Sequence, residues 1–236
     1  MKLWFRKMCA TGLLAGVLLS TGSCADNENM VVIIGAMSAQ PPDCTYNASS
    51  SALLLFNGIV DMAFGGHYTA VLLVSNQLAA RGSKARLRAE SSDVTIDNAV
   101  VHLLGDGQVE LGSYSVPASG HVPVGSGEDV GYGAIAVDIM PQGTDVPSGT
   151  GYVIAEVKLQ GKTSGGADIE SNVFRYEIYV VDSRWGGGLV RFDTIDTNGN
   201  CRCTSGTSST RTSCYIGQDT TISCCDCIQF DFCQIP

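Results

Sequence analysis

Val153-Ile-Ala-Glu-Val-Lys-Leu-Gln160 and Phe174-Arg-Tyr-Glu-Ile-Tyr-Val180 are the two most regular stretches of this chain. In the first, Val153, Ala155, Val157 and Leu159 alternate with Ile154, Glu156, Lys158 and Gln160. In the second, Phe174, Tyr176, Ile178 and Val180 alternate with Arg175, Glu177 and Tyr179. Side chains of a strand point to opposite faces in turn, so each stretch offers one face to a core and one to water. A glycine-bearing turn around 162–168 separates them. The pattern predicts an antiparallel hairpin with one buried face.

Working outward, Val94–Leu104 is another apolar run, and Gly105-Asp-Gly107 is a hairpin signal into Gln108–Tyr114. Gly133–Met140 places Ile135, Val137 and Ile139 on one face. Toward the N-terminus, Met30–Met37, Ala52–Val60 and Tyr68–Leu78 read as strands, with a turn at 40–51 broken by Pro41-Pro42. The glycine- and proline-rich Pro117–Asp129 reads as a loop, and Leu78–Glu90 as a short helical turn. Roughly eight strand-like runs without a long helix predict an all-β, antiparallel, immunoglobulin-like β-sandwich over residues 30–182. The immunoglobulin Cys–Trp–Cys pattern is absent, so the expectation concerns architecture rather than ancestry. Residues 183–236 show little periodicity and are expected to form a disulfide-rich, loop-like C-terminal appendage.

The first residues carry a different message. Met1-Lys-Leu-Trp-Phe-Arg-Lys7 bears three positive charges, an apolar stretch runs from Met8 to Leu19, and Ser20-Thr-Gly-Ser-Cys24 follows. That order describes a secretory signal. The apolar stretch falls short of the roughly 20 residues that a helix needs to span a bilayer. Leu19-Ser-Thr-Gly-Ser-Cys24 resembles the lipobox of bacterial lipoproteins, which implies a signal peptide over 1–23, lipidation of Cys24 and a short tether over 24–29. Ordinary secretion is the rival expectation. Removing residues 1–23 takes away Lys2, Arg6 and Lys7 and no acid, so the formal charge falls from −9 to −12. An acidic chain without a basic stripe argues against nucleic acid and against anionic lipid surfaces as partners.

The ten cysteines sharpen this reading. Processing would discard Cys9 and commit Cys24 to lipid. Eight would remain for disulfides: Cys44, Cys201, Cys203, Cys214, Cys224, Cys225, Cys227 and Cys233. Seven of these lie in the tail, an odd number, so Cys44 is expected to pair with one of them. Sequence does not say which.

The same residues bear on other chemistry. Cys201/Cys203 and Cys224/Cys227 could ligate zinc, or serve as a redox C-x-x-C, but an exported chain favours oxidised cysteines. Asp193 and Asp196-Thr-Asn198-Gly-Asn200 place oxygens at alternate positions, a weak calcium candidate through Asp196, Asn198 and Asn200. A turn in which Asn-Gly supplies a positive φ accounts for the same residues. His67, His102 and His121 are scattered without ligand spacing, and no nucleophile elbow, P-loop or dinucleotide fingerprint is present. No catalytic residue, cofactor or metal is assigned.

Glu170-Ser-Asn-Val-Phe-Arg-Tyr-Glu-Ile-Tyr-Val180, a Gly-Leu pair, Cys214-Tyr-Ile-Gly-Gln-Asp219 and Cys224-Cys225 together resemble lipoproteins of myxobacteria and related bacteria with a cysteine-rich C-terminal segment. The resemblance spans most of the mature chain and implies no activity. The expected protein is a lipid-anchored component of the cell envelope at the outer membrane, non-enzymatic, with a binding or structural role. Its partners would be the membrane, through the lipid, and a protein or glycan ligand of unknown identity. Loops such as Pro117–Asp129 would carry recognition. The competing classes are an extracytoplasmic enzyme with a dispersed site and an accessory subunit of a surface assembly.

Overall fold

A computed structural model describes residues 30–40, 43–82, 89–126, 129–185, 188–191 and 214–223. Its strands are β1 (Val31–Met37), β2 (Leu54–Leu55), β3 (Gly58–Asp61), β4 (Tyr68–Asn76), β5 (Val94–Leu104) and β6 (Glu110–Val122). Then come β7 (Gly131–Met140), β8 (Tyr152–Thr163), β9 (Asp168–Glu170), β10 (Phe174–Val181), β11 (Val190–Arg191) and β12 (Ile222–Ser223). Among the described residues there is no α-helix, and none long and apolar enough to cross a membrane.

The β8–β10 hairpin forms as its alternation predicts, with Phe174 opposite Val157 and Ile178 opposite Val153. Val153, Ala155, Val157 and Leu159 are wholly buried, and Tyr176 and Ile178 join them. Val94, Ile96, Ala99, Val101 and Leu103 of β5 and Ile135, Val137 and Ile139 of β7 complete one continuous core. A smaller apolar cluster lies apart, where Met37, Val71 and Leu73 are covered by Tyr46, Ala48 and Ala52.

The expected all-β class is present, and apart from the short β11–β12 pair the strands link into one sheet. Ten strands take part, in the order β2-β1-β4-β7-β6-β5-β8-β10-β3, with β9 pairing β8. Near the two ends of this path β1 meets the chain entering β10. Val31 bridges Ser171, and the Ile33 N–H donates to Asn172 Oδ1 at 2.7 Å. The sheet is thereby nearly closed into a barrel.

Three local expectations are corrected. Ala52–Val60 is not one strand: β2 pairs antiparallel with β1, and β3 pairs parallel with β10. The chain crosses the seam of the barrel at Phe56-Asn57, between them. Pro117–Asp129 is not wholly a loop, since β6 runs on to Val122 and Ser119 reaches Ala136 of β7. Pro117 sits opposite Asn98, beside a register shift between Ile96 and Asn98. A proline lacks the ladder N–H and is tolerated in a strand at such an irregularity. The described parts of 78–90 form no helical turn. Instead the Glu90 carboxylate accepts N–H groups from Gly82, Arg81, Ser92 and Ser91, and the first three, Gly82 foremost, hold it at about 2, well below the usual carboxylate range.

At the bulge of β5, β8 approaches so closely that a Cβ on Gly161 would collide with the Thr95 carbonyl oxygen. Gly151, by contrast, has nothing within 4 Å of that position. Gly161→Ala should therefore lower unfolding free energy in urea by about 1–3 kcal/mol, the usual range for overpacking. Gly151→Ala should change it by less than about 0.5 kcal/mol, as surface substitutions do.

Candidate functional site

The tail returns to the barrel through one covalent and several polar links. Cys44 is bonded to Cys214, closing a separation of 170 residues. The expected staple between Cys44 and a tail cysteine is present, and its partner is Cys214. Residues 214–220 then lie as a strap along the outer edge of β3. Gln218 bridges Val60 in antiparallel sense, the Asp61 N–H donates to the Gly217 carbonyl at 2.9 Å, and the Asp219 N–H donates to the Ile59 carbonyl at 2.9 Å. An unpaired strand edge is a template for unwanted pairing, and the strap covers this one. Gly217 has φ +83°, a region that favours glycine, and a Cβ there would meet Phe64 at 2.7 Å.

Gln218 and Asp219 make the specific contacts. Pairing of β4 with β1 ends at Leu72, so Thr69 has no partner in β1. Gln218 fills the gap: its Oε1 accepts the Thr69 N–H at 3.3 Å, and its Nε2 donates to the Thr69 carbonyl at 3.2 Å. Asp219 Oδ1 accepts from the Ile59 N–H at 2.9 Å, and both carboxylate oxygens lie 2.8 Å from the Tyr68 hydroxyl. Tyr68 and Tyr176 hydroxyls are 3.2 Å apart in the core. Tyr68 has one proton and an ionised carboxylate only accepts, so Tyr176 donates to Tyr68 and Tyr68 to Asp219. Burial raises the pKa of all three groups above its ordinary value; for both tyrosines the Asp219 charge adds to the effect.

A second buried carboxylate does a similar job on the other side of β3. Asp61 is fully buried and accepts from the Ala63 N–H at 3.1 Å, the Ser183 N–H at 2.9 Å and the Leu189 N–H at 2.9 Å. It also binds the Ser183 hydroxyl. Two acids adjoining one short strand thus hold two separate pieces of the C-terminal segment, each satisfied by donors of the chain itself.

Beside the strap lies a cleft of about 90 Å³ lined by Tyr46, Tyr68, Val71, Tyr215 and Asp219. It is smaller than the several hundred Å³ of ordinary ligand pockets. A more open hollow of about 490 Å³ lies between 146–151 and Val180–Arg184. The Arg184 guanidinium there is held by Asp182. The carboxylate–tyrosine chain offers a proton relay in form, yet its donors and acceptors are spent on one another. Its chemistry is that of a clamp.

The structure brings together Cys44 and Cys214 of the residues singled out from sequence. Cys24, Cys201, Cys203, Cys224, Cys225, Cys227 and Cys233 lie outside the described residues, as does the calcium candidate Asp196, Asn198 and Asn200. Among the described residues no cluster of three or more metal-ligating side chains occurs. Sequence reading missed Tyr68, Tyr176, Asp61, Gln218 and Asp219 as a connected set. The polar Gly-Gln-Asp219 run so close to Cys214 was the available signal. Comparison with family models, curated proteins and solved structures finds no match.

Tyr68→Phe would leave Asp219 short of a donor in a buried place and should lower stability by about 1–3 kcal/mol, the range for an unsatisfied buried group. The sign of the pH effect follows from the raised Asp219 value. The folded state keeps the proton to higher pH than the unfolded chain, so stability falls as pH rises from the ordinary carboxylate range through the raised value. Denaturant titrations across that window should show the decline in the parent and a smaller slope in Asp219→Asn.

Proposed function

We propose that the mature protein is a lipoprotein of the bacterial cell envelope, anchored through Cys24 and acting as a non-enzymatic binding or structural module. The observation that carries the reading is the Cys44–Cys214 bridge. Stable disulfides belong to oxidising compartments, which suits export beyond the cytoplasm. The bridge also keeps the parity argument intact: with Cys44 and Cys214 joined, Cys201, Cys203, Cys224, Cys225, Cys227 and Cys233 remain, again an even set.

Lipid at Cys24 supplies the anchor, since each buried methylene contributes about 0.8 kcal/mol and two or more chains hold stably. The outer membrane is the location we favour, in line with the resemblance to myxobacterial lipoproteins. The nearly closed sheet would serve as an immunoglobulin-like sandwich does, as a rigid scaffold that presents loops. Of these, residues 146–151 beside the larger hollow suit a protein or glycan ligand. The buried acids support a non-enzymatic role because Asp61 and Asp219 are engaged in holding the chain.

Mass spectrometry of the protein from its own membranes tests the reading. The N-terminal peptide should begin at Cys24 and carry acyl mass, and Cys24→Ser should move the protein out of the membrane fraction. An unacylated peptide, or a Cys24→Ser variant that matures and fractionates unchanged, would overturn it.

A further inference from the structure

Large apolar side chains left in water are unevenly placed on this protein. Among the described residues, eight are markedly exposed, and five of them are Ile34, Leu53, Leu54, Phe56 and Val173. These five gather at the barrel seam. Leu54 lies over Gly35, within 3.1 Å of where a side chain on Gly35 would begin, so it neighbours Ile34. Asn172 grips the backbone of Ile33, which sets Val173 beside the same point of β1. Ile34 faces outward by alternation with the buried Val31 and Ile33. Phe56, in the crossing between β2 and β3, is 99% exposed.

Single exposed apolar residues are ordinary, but a gathered set marks an interaction surface. Charge says what kind. No charged residue occurs in Met30–Gln40, in Cys44–Val60 or in Ser171–Phe174. In a chain whose mature charge is −12, this uncharged rim is the part that approaches anionic headgroups without repulsion. Tether length agrees. Six residues, Ala25–Met30, separate Cys24 from β1; at roughly 3.3–3.6 Å each they reach at most about 20 Å. Ile34 follows Val31 by three residues, about 10 Å along a strand.

We propose that the rim formed by Ile34, Leu53, Leu54, Phe56 and Val173 is a second membrane contact, which dips into the lipid interface and lays the barrel seam-down on the bilayer. The inference rests on the lipid-anchor reading, because the tether is what holds the rim at the surface. Apolar side chains that enter the interface sit about 5–10 Å into the headgroup–acyl boundary. The anchored barrel would then have one fixed orientation, with its 146–151 loop and larger hollow free of the lipid.

The test uses the full-length, processed protein carrying Phe56→Trp, purified from its membranes and reconstituted into phosphatidylcholine vesicles. Half the samples contain lipid brominated near the glycerol end of the acyl chains. The emission of the parent, which retains Trp185, is subtracted to leave that of the introduced indole, and acyl mass is recorded on the same preparation. Acylated protein whose introduced indole loses about half its emission in brominated vesicles bears the inference out, as expected for a ring at interfacial depth. Acylated protein with unchanged emission overturns the rim and leaves the anchor standing. Protein without acyl mass removes the anchor and the rim with it. Adding Leu53→Glu to Phe56→Trp in the acylated protein should restore the unquenched emission. Persistent quenching would show that the indole reaches lipid without the rim and would overturn the proposal.

Discussion

The docking of residues 214–220 onto the β3 edge is the constraint on which the rest of this structure depends. β3 has four residues and pairs parallel with β10. Its other side would be a bare row of N–H and C=O groups. The strap satisfies that row through Gly217, Gln218 and Asp219, and Cys214 pins it to Cys44 at the far end of the sheet path, near β1 and β2. One segment thereby ties both margins of a barrel that its own ladder leaves short of closure.

This tie is polar where the barrel is apolar. The core strands are held by burial of Val, Ile and Leu. The strap, Ser183 and Leu189 are held by Asp219, Gln218 and Asp61, whose acceptors meet backbone N–H groups and hydroxyls. Buried carboxylates are stabilising only while those donors stay in place. The tail is therefore docked in one geometry and sensitive to any loss of it. Leu54 and Phe56 lie between the margins that this tie joins, so the exposed apolar rim and the closure of the barrel share one place in the fold.

The core strands were legible in the sequence because a half-buried strand writes its burial as alternation. Val153–Leu159, Ile135–Ile139 and the limits of Val94–Leu104 could be read directly. Ala52–Val60 misled because an uncharged run carries no mark of the point where the chain changes partner, and the break falls at Phe56-Asn57. Pro117 misled because a proline beside a register shift resembles a proline in a loop until the neighbouring strand is seen. Cysteine parity found the Cys44 staple without geometry, but only the fold could select Cys214. Gln218 and Asp219 were invisible as anchors: their roles are set by the point where β1 stops pairing with β4 and by Tyr68, which lies 151 residues before Asp219. Long-range polar pairing of that kind leaves no periodic trace.

Amide hydrogen exchange, followed before and after reduction of the disulfide under native conditions, examines the central claim most directly. If the strap seals the seam, reduction should speed exchange at Ile59, Asp61 and Thr69, whose N–H groups donate to it, while Val101 and Val157 in the core strands keep their protection. Unchanged protection at the first three would contradict the account, and so would simultaneous loss of protection across the whole sheet.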